Sequence, residues 1–168
     1  MDFRLEKWTQ IYIDDFMNST NDPHLSDNLC ETLPYPMDIA FAQEYIRERM
    51  FNSEERQMCR AILVDGHAIG GIDVIFGNGI FSRSAELSVW IAEKYRGHGI
   101  GSQVITKMCK EVFKNYNIMR IESHPYSNHS SACSALRKAG FSHEGTIHSA
   151  IFKNGMFYDY EIFAILYQ

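Results

Sequence analysis

At 168 residues, with 45% hydrophobic and 22% charged side chains, the chain has the size of one domain, 1–168, able to bury a core without staples, and its composition excludes a disordered or fibrous protein. The net charge of −5, with no Lys/Arg run and no interleaving of basic and aromatic residues, argues against a nucleic-acid partner. No stretch nears the ~18 apolar residues of a membrane span and residues 1–10 lack an apolar signal core, so a cytoplasmic protein that touches no membrane is expected.

Residues 3–8 read as a first strand and residues 9–17 as a short helix, followed by a turn at Asn21-Asp22-Pro23. Residues 38–51 carry a helical pattern: Pro36 precedes them, Asp38 can cap them, and Ile39, Ala42, Tyr45, Ile46 and Met50 fall on one side. Three strands follow, 57–64, 68–76 and 81–91, separated by the hairpin signal Asp65-Gly66 and by Gly77-Asn78-Gly79. In the third, Ala85, Leu87, Val89 and Ile91 alternate with Glu86, Ser88 and Trp90. Sequential strands joined by tight turns pair antiparallel. A helix is expected over 99–115 from the stripe Ile100, Val104, Ile105, Met108, Val112 and Phe113. Residues 119–123 read as a strand, and 131–139 as a helix stopped by Gly140. The last two strands, 141–152 and 156–166, flank Asn154-Gly155, the strongest short hairpin signal. The order describes an α/β fold of the α+β type. Its mixed, mostly antiparallel sheet would have six to seven strands flanked by helices.

Charge and cysteine add two expectations. Residues 1–55 hold 12 Asp/Glu against four Lys/Arg, a balance of −8, and the rest of the chain is +3. Such fields can steer a cationic substrate to one half and an anionic cofactor to the other. Cys30, Cys59, Cys109 and Cys133 are scattered without a CxxC pair and read as free thiols in a reducing compartment.

The most informative segment runs from Trp90 to Gly101. A strand ends, Arg96-Gly97-His98-Gly99-Ile100-Gly101 turns, and an amphipathic helix begins. Glycines let the backbone approach a ligand closely. A helix start offers unpaired amides and a positive dipole end, and Arg96 adds a planar charge. Together these make an anion site suited to a pyrophosphate. The spacing is not G-x-G-x-x-G and no GK[ST] follows, which excludes a Rossmann fingerprint and a P-loop.

Arg96, Gly99 and Gly101 match the Q/R-x-x-G-x-G/A motif of the GNAT acetyltransferases, and the segment resembles that family's cofactor loop. Residues 85–91 precede it as the family's fourth strand would. Residues 128–141, from Asn128-His129-Ser130-Ser131 to Lys138-Ala139-Gly140-Phe141, resemble the second cofactor motif. The hairpin over 151–159 looks like the closing hairpin of the RimJ/RimL-like branch. The resemblance spans residues 1–168 and is specific over 85–141. It implies an N-acetyltransferase that moves the acetyl group of acetyl-CoA to a primary amine by direct attack in a ternary complex. The amine would be a polyamine, an aminoglycoside or a protein N-terminus. The alternative is a non-catalytic acetyl-CoA-binding regulatory module. The oligomeric state is open, a homodimer among the alternatives.

By the same resemblance, the main chain of Val89 and Ile91 would pair with the pantetheine arm. The loop Arg96, Gly97, His98, Gly99, Ile100 and Gly101, with Ser102, would hold the pyrophosphate. Asn128 and Ser131 would meet the arm near its thiol. Glu86 is the first candidate to take the amine's proton, through water. His124 is the second, since imidazole titrates near neutrality. One departure stands out. Aligned back from Gly140-Phe141, His129 rather than Asn128 occupies the Asn position, and Leu136 stands where many members carry a Tyr that protonates the thiolate. Leu136 cannot donate a proton, which leaves Tyr126, Ser130, Ser131 or water. His143 and His148 would face opposite sides of a strand, and no zinc-ligand spacing occurs, so no metal is expected.

Overall fold

Two hairpin dipeptides set the register of the sheet. Asp65 and Gly66 take φ of 51° and 85°, and Asn154 and Gly155 take 51° and 77°, the left-handed pairs that match the twist of flanking strands. They join β2 (Gln57–Val64) to β3 (His67–Phe76) and β6 (Ser142–Lys153) to β7 (Met156–Leu166). The structure, a computed structural model, describes residues 1–29, 33–51 and 54–167; Cys30 lies outside them.

The other elements are β1 (Arg4–Glu6), α1 (Ile13–Thr20), α2 (Ile39–Phe51), β4 (Ser84–Ile91), α3 (Ile100–Asn115), β5 (Arg120–Ser123) and α4 (Ser130–Lys138). The strands form one sheet in the order β1-β2-β3-β4-β5-β7-β6. Every pair is antiparallel except β4 with β5. This is the mixed, mostly antiparallel α/β architecture expected from the element order. No described helix is long and apolar enough to cross a membrane.

Strand alternation divides the apolar residues between two cores. Met58, Ile62, Ile72, Val74, Ala85 and Leu87 face Ile100, Val104, Met108 and Leu136 of α3 and α4. On the opposite face Cys59, Ala61, Leu63 and Trp90 pack against Phe16 of α1 and Ala42, Tyr45 and Ile46 of α2. Gly71 makes the second core possible. A Cβ there would lie 2.7 Å from Nε1 of Trp90 and 3.1 Å from Cζ2 of Trp8. The Trp90 indole instead fits over the glycine and donates to the Tyr45 hydroxyl at 3.1 Å, which satisfies its buried N–H.

The structure departs from the sequence pattern in four places. β4 begins at Ser84 rather than at 81, because Gly77 N–H donates to Ser84 O and the intervening residues, with a 3-10 turn over Gly79–Phe81, loop out of the ladder. The first helix is a 3-10 turn at Gln10–Tyr12 followed by α1. On α2 the buried stripe is Ala42, Tyr45 and Ile46, and Ile39 and Met50 are exposed at its margins. Arg49 continues the stripe instead, its guanidinium 2.8 Å from Asp73 of β3. In β6 the alternation breaks: Ile147 pairs with Tyr160 and Ile151 with Tyr158, so residues 148–150 bulge opposite Asp159. That carboxylate clips the bulge, accepting from Ser149 N–H at 2.7 Å and meeting His148 Nδ1 at 2.8 Å.

Candidate active site

The site begins where two parallel strands part. β4 pairs with β5 only at Ser84–Arg120, Ala85–Ile121 and Glu86–Glu122. Beyond Glu86, β4 continues to Ile91 against β3 alone, while β5 ends at Ser123 and pairs with β7 on its other side. The parity of the ladder fixes what faces the opening. Ala92 N–H donates to Ile69 O across to β3 at 2.8 Å. Residues of the opposite parity, Val89 and Ile91, therefore turn their main-chain N–H and C=O groups away from β3 and into the gap. Arg96 Nε donates to Ile91 O at 2.8 Å, which pins the guanidinium at the mouth of the opening.

The glycine loop closes the far end of β4. Gly97 and Gly99 take φ of 79° and 76°, and Gly99 is the residue that starts α3. Gly97, His98 and Gly99 are exposed, whereas the Ile100 side chain is buried in the core below. Ile100 thus anchors the loop and offers a ligand only its main chain. Ser102 Oγ donates back to Gly99 O at 3.1 Å. Gly101 lies against β4 and α4: a Cβ there would be 3.7 Å from Ile91 Cδ1 and 3.8 Å from Ala135 Cβ. The 16-residue helix therefore presents its amide end beside the opening, as an anion site requires.

The second loop faces the first. His129 is the N-cap of α4, at φ −88° and ψ 69°, and its carbonyl accepts from Ala132 and Cys133. Burial and the nearby Arg96 charge hold its imidazole below the ordinary value, so it stays neutral. Asn128 and Ser131 are exposed on either side of the cap. Leu136 is buried in the core, with no hydroxyl to offer. Cys59, Cys109 and Cys133 are free buried thiols. Burial pushes all three up, Cys109 to about 12, so none is a thiolate.

Glu86 and His124, read from the sequence as separate candidates, meet in the structure. Glu86 projects from β4 on the face opposite Ala85 and Leu87, and Oε1 lies 3.2 Å from His124 Nδ1. The other ring nitrogen, Nε2, is 3.5 Å from Glu122 Oε1. The ring centroid is 5.4 Å from that of Tyr160 on β7. The hydrogen bond from His124 holds the Glu86 carboxyl below the usual range despite partial burial. The same bond, aided by the charges of Glu86 and Glu122, raises His124 against burial and Arg120. Arg120 in turn bridges Glu122 at 2.9 Å and Glu144 of β6 at 2.6 Å. Glu122 and Arg120 escaped the sequence reading. Their signal was the alternation Arg120, Glu122, His124, which runs along β5 and one residue past its end and puts the three on one side. No group of three or more His, Cys, Asp or Glu is arranged to hold a metal among the described residues.

The family model for the acetyltransferase (GNAT) domain matches residues 2–142. The SPβ prophage-derived uncharacterized N-acetyltransferase YokL of Bacillus subtilis (strain 168) is 24% identical over 132 residues, 77% of this chain and 71% of its own length. Two solved structures share the fold. The microcin C7 self-immunity acetyltransferase MccE, in complex with acetyl-CoA and AMP, superposes with a TM-score of 0.88 at 18% identity, covering 99% of this chain and 93% of its own. The ribosomal L7/L12 alpha-N-protein acetyltransferase RimL, in complex with coenzyme A, gives 0.87 at 16% identity, covering 98% and 93%.

Proposed function

The chain belongs to the GNAT acetyltransferases and is an acetyl-CoA-dependent acyltransferase, and on that premise we propose that it acetylates a primary amine by direct attack in the opening between β4 and β5. One observation carries this reading: the strands part immediately beyond Glu86 and Glu122, so the opening has a carboxylate–imidazole pair at its closed end and the glycine loop at the end of β4. The residues fit the cofactor. The amides of Gly97 to Ser102 at the start of α3, with Arg96, suit a pyrophosphate. The main chain of Val89 and Ile91 suits an amide-bearing arm that adds to a sheet edge. His129, Asn128 and Ser131 line the opposite bank at α4.

The thioester supplies an activated acyl group and a thiolate leaving group. The chain's residues supply positioning and proton transfer. An ammonium ion is no nucleophile, so the amine must first lose a proton, through water, to the Glu86–His124 pair. Its lone pair then forms the N–C bond as the C–S bond breaks, and the acylated nitrogen sheds its second proton to water on the thiolate side. Main-chain N–H groups of Val89 and Ile91 are the donors aimed into the opening as negative charge builds on the carbonyl oxygen. Leu136 supplies no acid, so the thiolate takes its proton from water or from Tyr126, Ser130 or Ser131. The acceptor is a polyamine, an aminoglycoside or a protein N-terminus, each cationic before reaction and suited to an approach lined by Glu86 and Glu122.

The test is thiol release from acetyl-CoA with a panel of polyamines, aminoglycosides, amino acids and N-terminal peptides. Turnover with at least one class, lost in Glu86→Gln, is the expected result. Tight acetyl-CoA binding with no turnover across the panel would favour the non-catalytic module that the buried Leu136 suggests.

A further inference from the structure

We infer that the acceptor is a peptide N-terminus whose first side chain is large and apolar, selected by a platform of Tyr158 and Tyr160 on β7 with Ile147 and Ile151 on β6. The inference rests on the reading that the amine gives up its proton at Glu86 and His124, and it chooses among the acceptors that reading allows.

The acceptor reaches that pair from the face of the sheet opposite α3 and α4. Ala85 and Leu87 pack under those helices, so Glu86 projects the other way. His124 meets it there at 3.2 Å, and the His124 ring lies 5.4 Å from that of Tyr160. Alternation puts Tyr158 on the same face, where its ring is 5.6 Å from that of Tyr126. The bulge supplies the rest of the platform. In a regular β6, Ser149 would stand opposite Tyr158 and Ile151 opposite Met156. Residues 148–150 loop out, so Ile147 pairs with Tyr160 and Ile151 with Tyr158. Two tyrosines and two isoleucines therefore occupy neighbouring rungs of one face, as a bulge that re-aims side chains allows. Their Cα positions span about 5 Å across the strands and about 7 Å along them, the footprint of one aromatic ring or branched side chain. Ile147 is 39% exposed and the other three are half-buried.

Charge decides between the acceptors. The site end holds the Glu86 carboxylate, which suits one ammonium. Past Ile151 the next side chain on the platform's face is Lys153, whose ammonium donates to the carbonyls of Ser26 and Leu29. Asp159 lies between the two tyrosines in sequence but turns to the bulge, where it accepts from Ser149 N–H. In the other direction Glu122 and Glu144 are already bridged by Arg120. A polyamine or an aminoglycoside laid on this face of the sheet would bring further ammonium groups against apolar surface and a lysine, at a desolvation cost with no acid to offset it. A peptide N-terminus carries one ammonium and, one carbon away, a side chain that can cover Tyr160 and its neighbours.

The experiment compares kcat/KM with acetyl-CoA for the tripeptide amides Phe-Ala-Ala, Leu-Ala-Ala and Ser-Ala-Ala, beside spermidine, kanamycin and phenylethylamine. The Phe and Leu peptides should exceed the Ser peptide and both polycations by about tenfold or more. Tyr160→Ala should raise KM for the Phe peptide by about tenfold and leave kcat/KM for the Ser peptide within about twofold. Ile147→Glu, at an exposed position, puts a carboxylate on the platform; it should lower kcat/KM for the Phe peptide and raise it for spermidine. A wild type that prefers the Ser peptide or a polycation overturns the inference while acetyl transfer stands. So does a Tyr160→Ala or Ile147→Glu that leaves the ratio of Phe to Ser peptide unchanged. Phenylethylamine turned over as well as the Phe peptide overturns the choice of a peptide. Silence across the whole panel removes the acetyl-transfer reading itself, and this inference with it.

Discussion

Glu86 and His124 shift in opposite directions for one cause, the hydrogen bond between them. Catalysis and stability then depend on pH in different ways. If Glu86 relays the amine's proton, Glu86→Gln should lower kcat by about a hundredfold or more, with the KM for acetyl-CoA little changed; steady-state kinetics at saturating cofactor reads both. For stability the signs differ by group. His124 is raised, so its contribution is complete below the ordinary imidazole value and is lost as pH rises through the folded value. Glu86 is depressed, so its contribution is present above the ordinary carboxylate value and is lost as pH falls through the folded one. The pair therefore stabilises most between about pH 4.5 and about pH 6.5. The side chains are 24% and 55% exposed, so solvent screens the pair and its worth is about 0.5 kcal/mol. Urea midpoints of wild type and Glu86→Gln should differ more near pH 5.5 than near pH 9; a gap that widens toward high pH would contradict the pairing.

Elements impose their own constraints, and two can be tested. Gly99 starts α3 at φ 76°, and the nearest atom to an added Cβ is the flexible tip of Gln103 at 3.8 Å. Space is available, so Gly99→Ala should cost only backbone strain, about 1 kcal/mol. It should also weaken acetyl-CoA binding in calorimetry by tilting the loop amides. On α2, Arg49 and Asp73 form an ion pair with side chains 9% and 12% exposed. Arg49→Met would leave the Asp73 carboxylate buried without its guanidinium, a loss of about 3 kcal/mol measurable by urea unfolding. The same elements mark the reach of sequence reading. β2 ends at Asp65-Gly66 and β7 starts after Asn154-Gly155, as local turn chemistry predicts. The glycine loop and the start of α3 were equally legible, because their signal is contiguous. Ile39 and Met50 were misplaced because apolar type was weighed and Arg49 was not; the partner that draws Arg49 inward lies on β3. The bulge at 148–150 depends on Asp159 of the neighbouring strand. The pairing of Glu86 with Glu122 depends on a parallel register across the 35 residues of chain between them, and no local pattern carries that register.

At the scale of the whole molecule, the opening is what the two cores leave between them. α1 and α2 cover one face of β1 to β4, and α3 with α4 cover the other. Where β4 leaves β5, neither core supplies a strand to fill the gap. A ligand that spans it would add the contacts the sheet lacks there, and would do so only in the folded state, because the loop amides and the main-chain edge converge only on folding. Binding then stabilises by mass action: at a free cofactor concentration about 100 times Kd, the gain is about 2.7 kcal/mol. For a domain of this size that corresponds to a rise in Tm of about 5–10 °C. Differential scanning calorimetry with acetyl-CoA should show it. Replacing Arg96 by Ala, which removes both its charge and its bond to Ile91 O, should require several-fold more cofactor for the same rise. A Tm that does not move with acetyl-CoA would mean that the split in the sheet is not the cofactor's place, whatever the kinetics of the residues at its closed end.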